Sequence, residues 1–211
     1  MIDLVVIGAG GFGRETLDVI EAINTVHETY RVVGVVDDSP SPIFLERLSA
    51  RGYTHLGNTG HWLATGAGDC FVVGVGTPSI RSAIVAQIGA NAFACSPLIH
   101  PRASIGSMFQ AGDGTVICAN ATISTNVSLG AHVHVNPAAI IGHDARCGDF
   151  SSVNPGAVIS GEVTVAANVL VGAGAVVLQG LAVGSCAVVG AAACAVTSVP
   201  AHSVVKGVPA R

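Results

Sequence analysis

Charge is scarce in this chain of 211 residues: only 10% are Asp, Glu, Lys or Arg, and the formal balance is −4 at neutral pH. A surface that neutralises a phosphate backbone needs clustered Lys and Arg, so a nucleic-acid partner is not expected. Long apolar runs are missing as well. Half of the residues are hydrophobic, yet no run reaches the ~18 residues of a membrane-spanning helix, and no membrane span is expected. The opening residues, MIDLVVIGAGG, have no basic leader and run straight into a strand, which argues against a secretion signal. The six cysteines, at 70, 95, 118, 147, 186 and 194, show no CxxC spacing. A reduced, cytoplasmic protein that holds no metal is the expectation.

What the chain has instead is a repeat. From Ile99 to Ala195 an aliphatic or small residue returns every sixth position, giving 17 hexads that include Ile117, Ile123, Leu129, Val135, Ile141, Cys147, Val153 and Ile159. A second small or apolar column runs four residues on, through Ala121, Val127, Val133, Ala139 and Ala145. A helix needs a period of 3.6 and an ordinary strand a period of 2, so a period of six predicts a parallel β-helix with one short strand and one turn per hexad. The position after each aliphatic is often Gly or Asn, as at Gly106, Gly112, Asn136, Gly142, Gly172 and Gly190. These residues are expected to take turn conformations closed to bulkier side chains. Three hexads per triangular coil would stack residues 18 apart, and a coil spacing of roughly 4.8 Å makes the prism about 27 Å long. Its outer faces, rich in Ala, Val and Ser, have few charges to solvate them and predict a C3 homotrimer.

The first 95 residues read differently. Ile2 to Ile7 is an apolar strand that ends in Gly8-Ala-Gly10-Gly11-Phe-Gly13. A helix from Thr16 to Asn24 and a second strand from Val32 to Val36 follow, the latter ending in Asp37-Asp38. Strand, GxGxxG, helix, strand, acid is a nucleotide-binding arrangement: glycines let main-chain amides approach phosphate, and an acid suits a ribose hydroxyl. A βα turn that needs its glycines for packing alone is the other reading. A third strand, Phe71 to Val75, and a helix from Ser79 to Ile88 carrying Arg81 complete a Rossmann-like α/β half domain. The expected division is 1–95 for this domain and 96–211 for an all-β left-handed parallel β-helix with its tail.

Four of the eight histidines, at 100, 132, 134 and 143, lie in or beside the repeat. His143 falls on a corner or outer face with Asp144 beside it, so it is a candidate general base oriented by a carboxylate. An idle surface histidine is the plain alternative. The 18-residue stacking places His134 next to Ser152, and lines up Asn126, Asp144 and Glu162. Like charges in that column would raise one carboxyl's pKa unless a cation stands nearby. A metal at His132 and His134 lacks a third ligand.

These segments resemble one family. VVIGAGGFGRE, VVDD and VGVGTPSIR at the start, VNPAAIIGHDARCGDFSSVNPGA in the repeat and VVKGVPAR at the end are similar to bacterial sugar acyltransferases. That family includes sialic-acid O-acetyltransferases and N-acetyltransferases acting on UDP-4-amino-sugars and GDP-perosamine. The resemblance implies a left-handed β-helix that trimerises and holds acetyl-CoA between neighbouring prisms, and an N-terminal domain that holds a nucleotide sugar (UDP, GDP or dTDP). It implies His143 as catalytic base with Asp144 as its acidic neighbour. Gly10, Gly11, Gly13, Asp37, Asp38, Arg81 and Asn136 would stand toward the sugar nucleotide. Ser152, Gly172, Ala173, Gly190, Ala191 and Lys206 would stand toward acetyl-CoA. Ser152 occupies a position where some relatives carry His, and is a candidate for the oxyanion. The function expected is acetyl-CoA-dependent N-acetylation of a nucleotide-linked amino sugar. Sugar O-acetylation, a non-catalytic trimeric nucleotide-binding scaffold and NAD binding are the alternatives.

Overall fold

The apolar opening strand is paired on both sides. A computed structural model describes residues 1–211, and its first part contains β1 (Ile2–Ile7), α1 (Gly11–Val26), β2 (Tyr30–Val36), α2 (Pro42–Ser49), α3 (Thr59–Thr65), β3 (Cys70–Val73) and α4 (Pro78–Ile88). The three strands form a parallel sheet in the order β2-β1-β3. Helix α1 buries Thr16, Leu17, Val19 and Ile20, an i, i+3, i+4 stripe, against that sheet. It begins at Gly11 rather than Thr16, so Gly11 and Gly13 lie within its first turn. Gly13 is fixed by close approach: a Cβ there would lie on the Gly8 carbonyl oxygen.

From Leu98–Ile99 a two-residue strand recurs every six residues without a break to Cys194–Ala195, and a last one lies at Val204–Val205. These strands stack into three parallel sheets of seven, six and five members, the faces of a left-handed β-helix. The first face runs through Leu98, Val116, His134, Ser152, Leu170 and Val188. The second runs through Ser104, Thr122, Ile140, Val158, Val176 and Cys194, and the third through Gln110, Ser128, Arg146, Thr164 and Ala182. The register is the 18-residue step: Ile141 pairs with Ile123 below and Ile159 above. The inward column from Ile117 to Ile159 is buried throughout. The first coil is less covered, and Ile105 is partly exposed because no coil lies beneath it.

One expectation about the turns is corrected. The left-handed residue of each hexad stands three places after the aliphatic, as at Asn126, His132, Ala138, Asp144 and Phe150, with φ between 54° and 61°. The glycines directly after the aliphatic serve close approach instead. A Cβ on Gly142 would lie 2.6 Å from the Gly161 nitrogen one coil above, and one on Gly172 2.5 Å from the Ala191 nitrogen.

The α/β domain sits on the first face of the prism. Leu98, Val116 and Cys118 of that face share one apolar cluster with Leu4, Leu17 and Ile20. All six cysteines are free thiols. No helix is long and apolar enough to cross a membrane.

Candidate functional site

The edge between the second and third faces carries His143 and Asp144, both substantially exposed. Asp144 is the left-handed corner residue, with φ 61°, and its geometry turns the carboxylate back onto its neighbour. Asp144 Oδ2 lies 2.8 Å from His143 Nδ1, and Asp144 Oδ1 accepts a 2.7 Å bond from Asn126 Nδ2 one coil below. A carboxylate only accepts, so Nδ1 carries a proton, and in the neutral ring Nε2 is the nitrogen with the lone pair. The Asn126 amide first, then the His143 ring, hold the Asp144 carboxyl below its ordinary range. This corrects the expectation of a raised carboxyl for Asp144 in the Asn126–Asp144–Glu162 column: its oxygens are held by two donors, Asn126 and His143.

Sequence reasoning missed Gly161. It stands 18 residues after His143, and a Cβ there would lie 2.5 Å from His143 Nε2 and 2.6 Å from Cε1. The imidazole therefore occupies the space a side chain would fill. The 18-residue step was the signal that could have found it. Beside this pair the third face has a polar pocket of about 510 Å³, lined by Gln110, Asn126, Asp144, Arg146 and Glu162 among others.

A second edge, between the first and second faces, collects another set. Asn136, Asn154, Gly172 and Gly190 follow one another up that corner. Asn136 Nδ2 donates to the Val153 carbonyl at 3.1 Å, the Gly172 nitrogen to the Val189 carbonyl at 2.7 Å, and the Gly190 nitrogen to the Val205 carbonyl at 2.8 Å. Ala173 and Ala191 follow in the same turns, and exposed Lys206 lies over Gly190. The prism thus brings Asn136, Gly172, Ala173, Gly190, Ala191 and Lys206 together, and keeps His143 and Asp144 one face away.

In the α/β domain a pocket of about 260 Å³ opens between Gly8, Asp37, Asp38, Ser39, Thr59 and Val75. Asp37 ties the glycine loop to β2, its Oδ2 accepting from the Ala9 nitrogen at 2.8 Å and its Oδ1 from the Ser39 nitrogen at 2.9 Å. Asp38 Oδ1 accepts from the nitrogen and hydroxyl of Thr59 at 2.7 and 2.8 Å, which leaves its Oδ2 free at the pocket. No side chain caps α1 at Gly10. A Cβ on Gly11 would meet nothing within 4 Å, so the helix N-terminus is open to an anion.

Two of the expected contacts do not fit their surroundings. Arg81 is completely buried. Its guanidinium donates to the carbonyls of His132 at 2.9 Å, Val75 at 2.7 Å and Phe150 at 2.7 Å, and to Ser152 Oγ at 2.9 Å. A group so enclosed has no face left for a substrate. Burial pulls its pKa down to about 9, and it stays charged at neutral pH. Ser152 is buried beneath the α/β domain with its hydroxyl donating to the Gly76 carbonyl at 3.1 Å, so it cannot reach an oxyanion or acetyl-CoA at the edge. His134 does pair with Ser152 in the ladder, but it is fully buried, and burial holds it neutral, well below the ordinary imidazole range. Burial and then the Arg81 charge push His132 down to about 4. No group of three or more His, Cys, Asp or Glu is placed to hold a metal ion.

Residues 3–88 match the family described as the PglD N-terminal domain. With that domain set on a hexapeptide-type β-helix, the chain is similar to sugar acyltransferases. Among curated relatives, GDP-perosamine N-acetyltransferase of Escherichia coli O157:H7 is 30% identical over 146 residues, which is 68% of this chain and 63% of that protein. The match thus spans less than two thirds of the relative's length. Among solved structures, the acetyltransferase domain of PglB from Neisseria gonorrhoeae FA1090 is 29% identical with a TM-score of 0.85, the alignment covering 100% of this chain and 99% of that one. That domain has also been solved with acetyl coenzyme A. PerB from Caulobacter crescentus, solved with CoA and GDP-perosamine, is 25% identical with a TM-score of 0.78, covering 99% of this chain and 96% of that one.

Proposed function

We propose that the chain is a cytoplasmic, acetyl-CoA-dependent N-acetyltransferase acting on the amino group of a nucleotide-linked amino sugar. The observation that carries this reading is His143: an accessible imidazole with Nδ1 tied to Asp144 at 2.8 Å and Nε2 free. Residues 1–95 hold the nucleotide, with Asp37 and Asp38 at the pocket and the open helix start at Gly10 and Gly11 beside it, while Gly13 packs against the Gly8 carbonyl and supports the loop. Residues 96–211 hold acetyl-CoA along the edge of Gly172, Ala173, Gly190, Ala191 and Lys206, with Asn136 lower on the same edge and toward the sugar. His143 Nε2 takes a proton as the sugar amine attacks the thioester carbonyl. A C–N bond forms, the C–S bond breaks, and the CoA thiolate leaves. Asp144 stabilises the imidazolium that results. The thioester is already activated, so no acyl-enzyme is required.

Assembly follows from the same layout. The His143 edge and the Asn136 edge lie on opposite sides of the second face, whose outer residues include exposed Ile140 and half-buried Val158, Val176 and Cys194. A homotrimer sets the His143 edge of one copy against the Asn136 edge of the next, which brings base and acyl donor into one groove. The test is thiol release from acetyl-CoA with a panel of UDP-, GDP- and dTDP-amino sugars. Release that requires one such sugar, with an N-acetylated product by mass, supports the reading. Release of thiol with none of them removes it.

A further inference from the structure

Resting on the reading of the α/β pocket as a nucleotide site, we propose that His134 and Ser152 of the prism are positioning residues that hold the two walls of that pocket from behind. One wall is the glycine loop. Phe12, between Gly11 and Gly13, stacks on the buried His134 ring with centroids 4.2 Å apart and 24° between the planes. The other wall is the loop between β3 and α4, in which Val75 lines the pocket. Its Val75 carbonyl accepts a 2.7 Å bond from Arg81, and its Gly76 carbonyl accepts bonds from Arg81 at 3.2 Å and from Ser152 Oγ at 3.1 Å. Arg81 is itself fixed by the prism, donating to Ser152 Oγ and to the Phe150 carbonyl.

His134 and Ser152 are direct neighbours in the first-face ladder. One rigid patch of prism therefore sets both walls, although Ser152 lies 76 residues from Gly76 and His134 more than 120 from Phe12 in sequence. Holding a site in its bound shape lowers the ordering cost that a ligand must otherwise overcome. Neither residue touches the His143 edge or the Lys206 edge. Their role is thus selective for the nucleotide, which distinguishes it from general support of the fold. This also accounts for a small hydroxyl at position 152: it must fit beneath the loop between Arg81 and Gly76.

The test is titration calorimetry on the full chain, wild type against Ser152→Ala and Phe12→Leu. UDP, GDP and dTDP are screened on the wild type, and the tightest is carried forward, with acetyl-CoA titrated separately. Each variant should weaken the nucleoside diphosphate roughly 3- to 10-fold, the loss of one hydrogen bond to a charged partner or one aromatic stack. Acetyl-CoA binding should stay within about 2-fold, since its edge contains neither residue. In turnover, KM for the sugar nucleotide should rise while kcat holds. Unchanged nucleotide binding in both variants overturns the inference and leaves the reading of the pocket intact. Equal loss of nucleotide and acetyl-CoA also overturns it, in favour of a folding role. A wild type that binds none of the three nucleotides overturns the reading and the inference together.

Discussion

Replacing Gly161 by Ala adds one carbon at a place where the reaction would feel it and the fold would not. The new Cβ would lie 2.5 Å from His143 Nε2, 2.6 Å from Cε1 and 3.0 Å from Cδ2, whereas ordinary contact begins at 3.4 Å. The ring must therefore move by about 0.9 Å at Nε2. Position 161 has no left-handed φ, so alanine costs the backbone nothing there. His143 is largely exposed, with 58% of its side chain open, and it can swing outward without disturbing the aliphatic core. Swinging outward breaks the 2.8 Å tie to Asp144 and takes Nε2 off its line to the acceptor amine. A misplacement of about 1 Å costs on the order of 10²-fold in rate. Steady-state thiol release on purified protein, with thermal melting alongside, is the assay. We expect kcat to fall about 10²-fold with KM for acetyl-CoA and the melting temperature unchanged. Wild-type turnover in Gly161→Ala would refute the reasoning, because it would mean that the ring works from another position.

Gly11→Val should weaken the sugar nucleotide and spare acetyl-CoA, because a Cβ at Gly11 meets no protein atom within 4 Å and only a ligand would clash with it. Equal losses in the two titrations would contradict this. Sedimentation should give a homotrimer, and a stable monomer at micromolar concentration would remove the groove between His143 and Asn136. Asp144 has its carboxyl lowered by Asn126 and His143. Its contribution is then fully present above the unfolded value of about 3.9 and is lost only as pH falls through the lower folded value. An acid limb in the pH–rate profile above pH 5 therefore belongs to another group. If Asp144→Asn abolished such a limb, the assignment would be wrong.

The repeat was legible because its period is imposed by geometry at every hexad: an aliphatic must point inward each time the chain rounds a corner. The same step predicted that His134 and Ser152 pair, which they do. It did not reveal that both are buried, because their cover comes from Phe12 and the loop at Gly76, in another domain. The Arg81 contacts were illegible for the same reason: its partners at 132 and 150–152 lie 51 to 71 residues away, and no local pattern encodes that meeting. The glycines after each aliphatic were visible as a column, but their cause was not. A left-handed corner favours glycine and a backbone one coil above requires it, and only the three-dimensional structure separates the two. Asp144 shows the converse, a non-glycine residue at φ 61° whose short polar side chain tolerates that corner and is turned onto His143.

The central claim is that His143 Nε2 removes the proton from the attacking amine. The measurement that bears on it most directly is the kcat of His143→Ala with acetyl-CoA and the amino-sugar nucleotide that the wild type uses. A positioned imidazole contributes about 10²–10⁴ in rate, so kcat should fall by that factor. KM for acetyl-CoA should barely move, since the contacts proposed for acetyl-CoA are main-chain groups and Lys206, not the imidazole. Near-normal turnover in His143→Ala would contradict the account and place the base elsewhere.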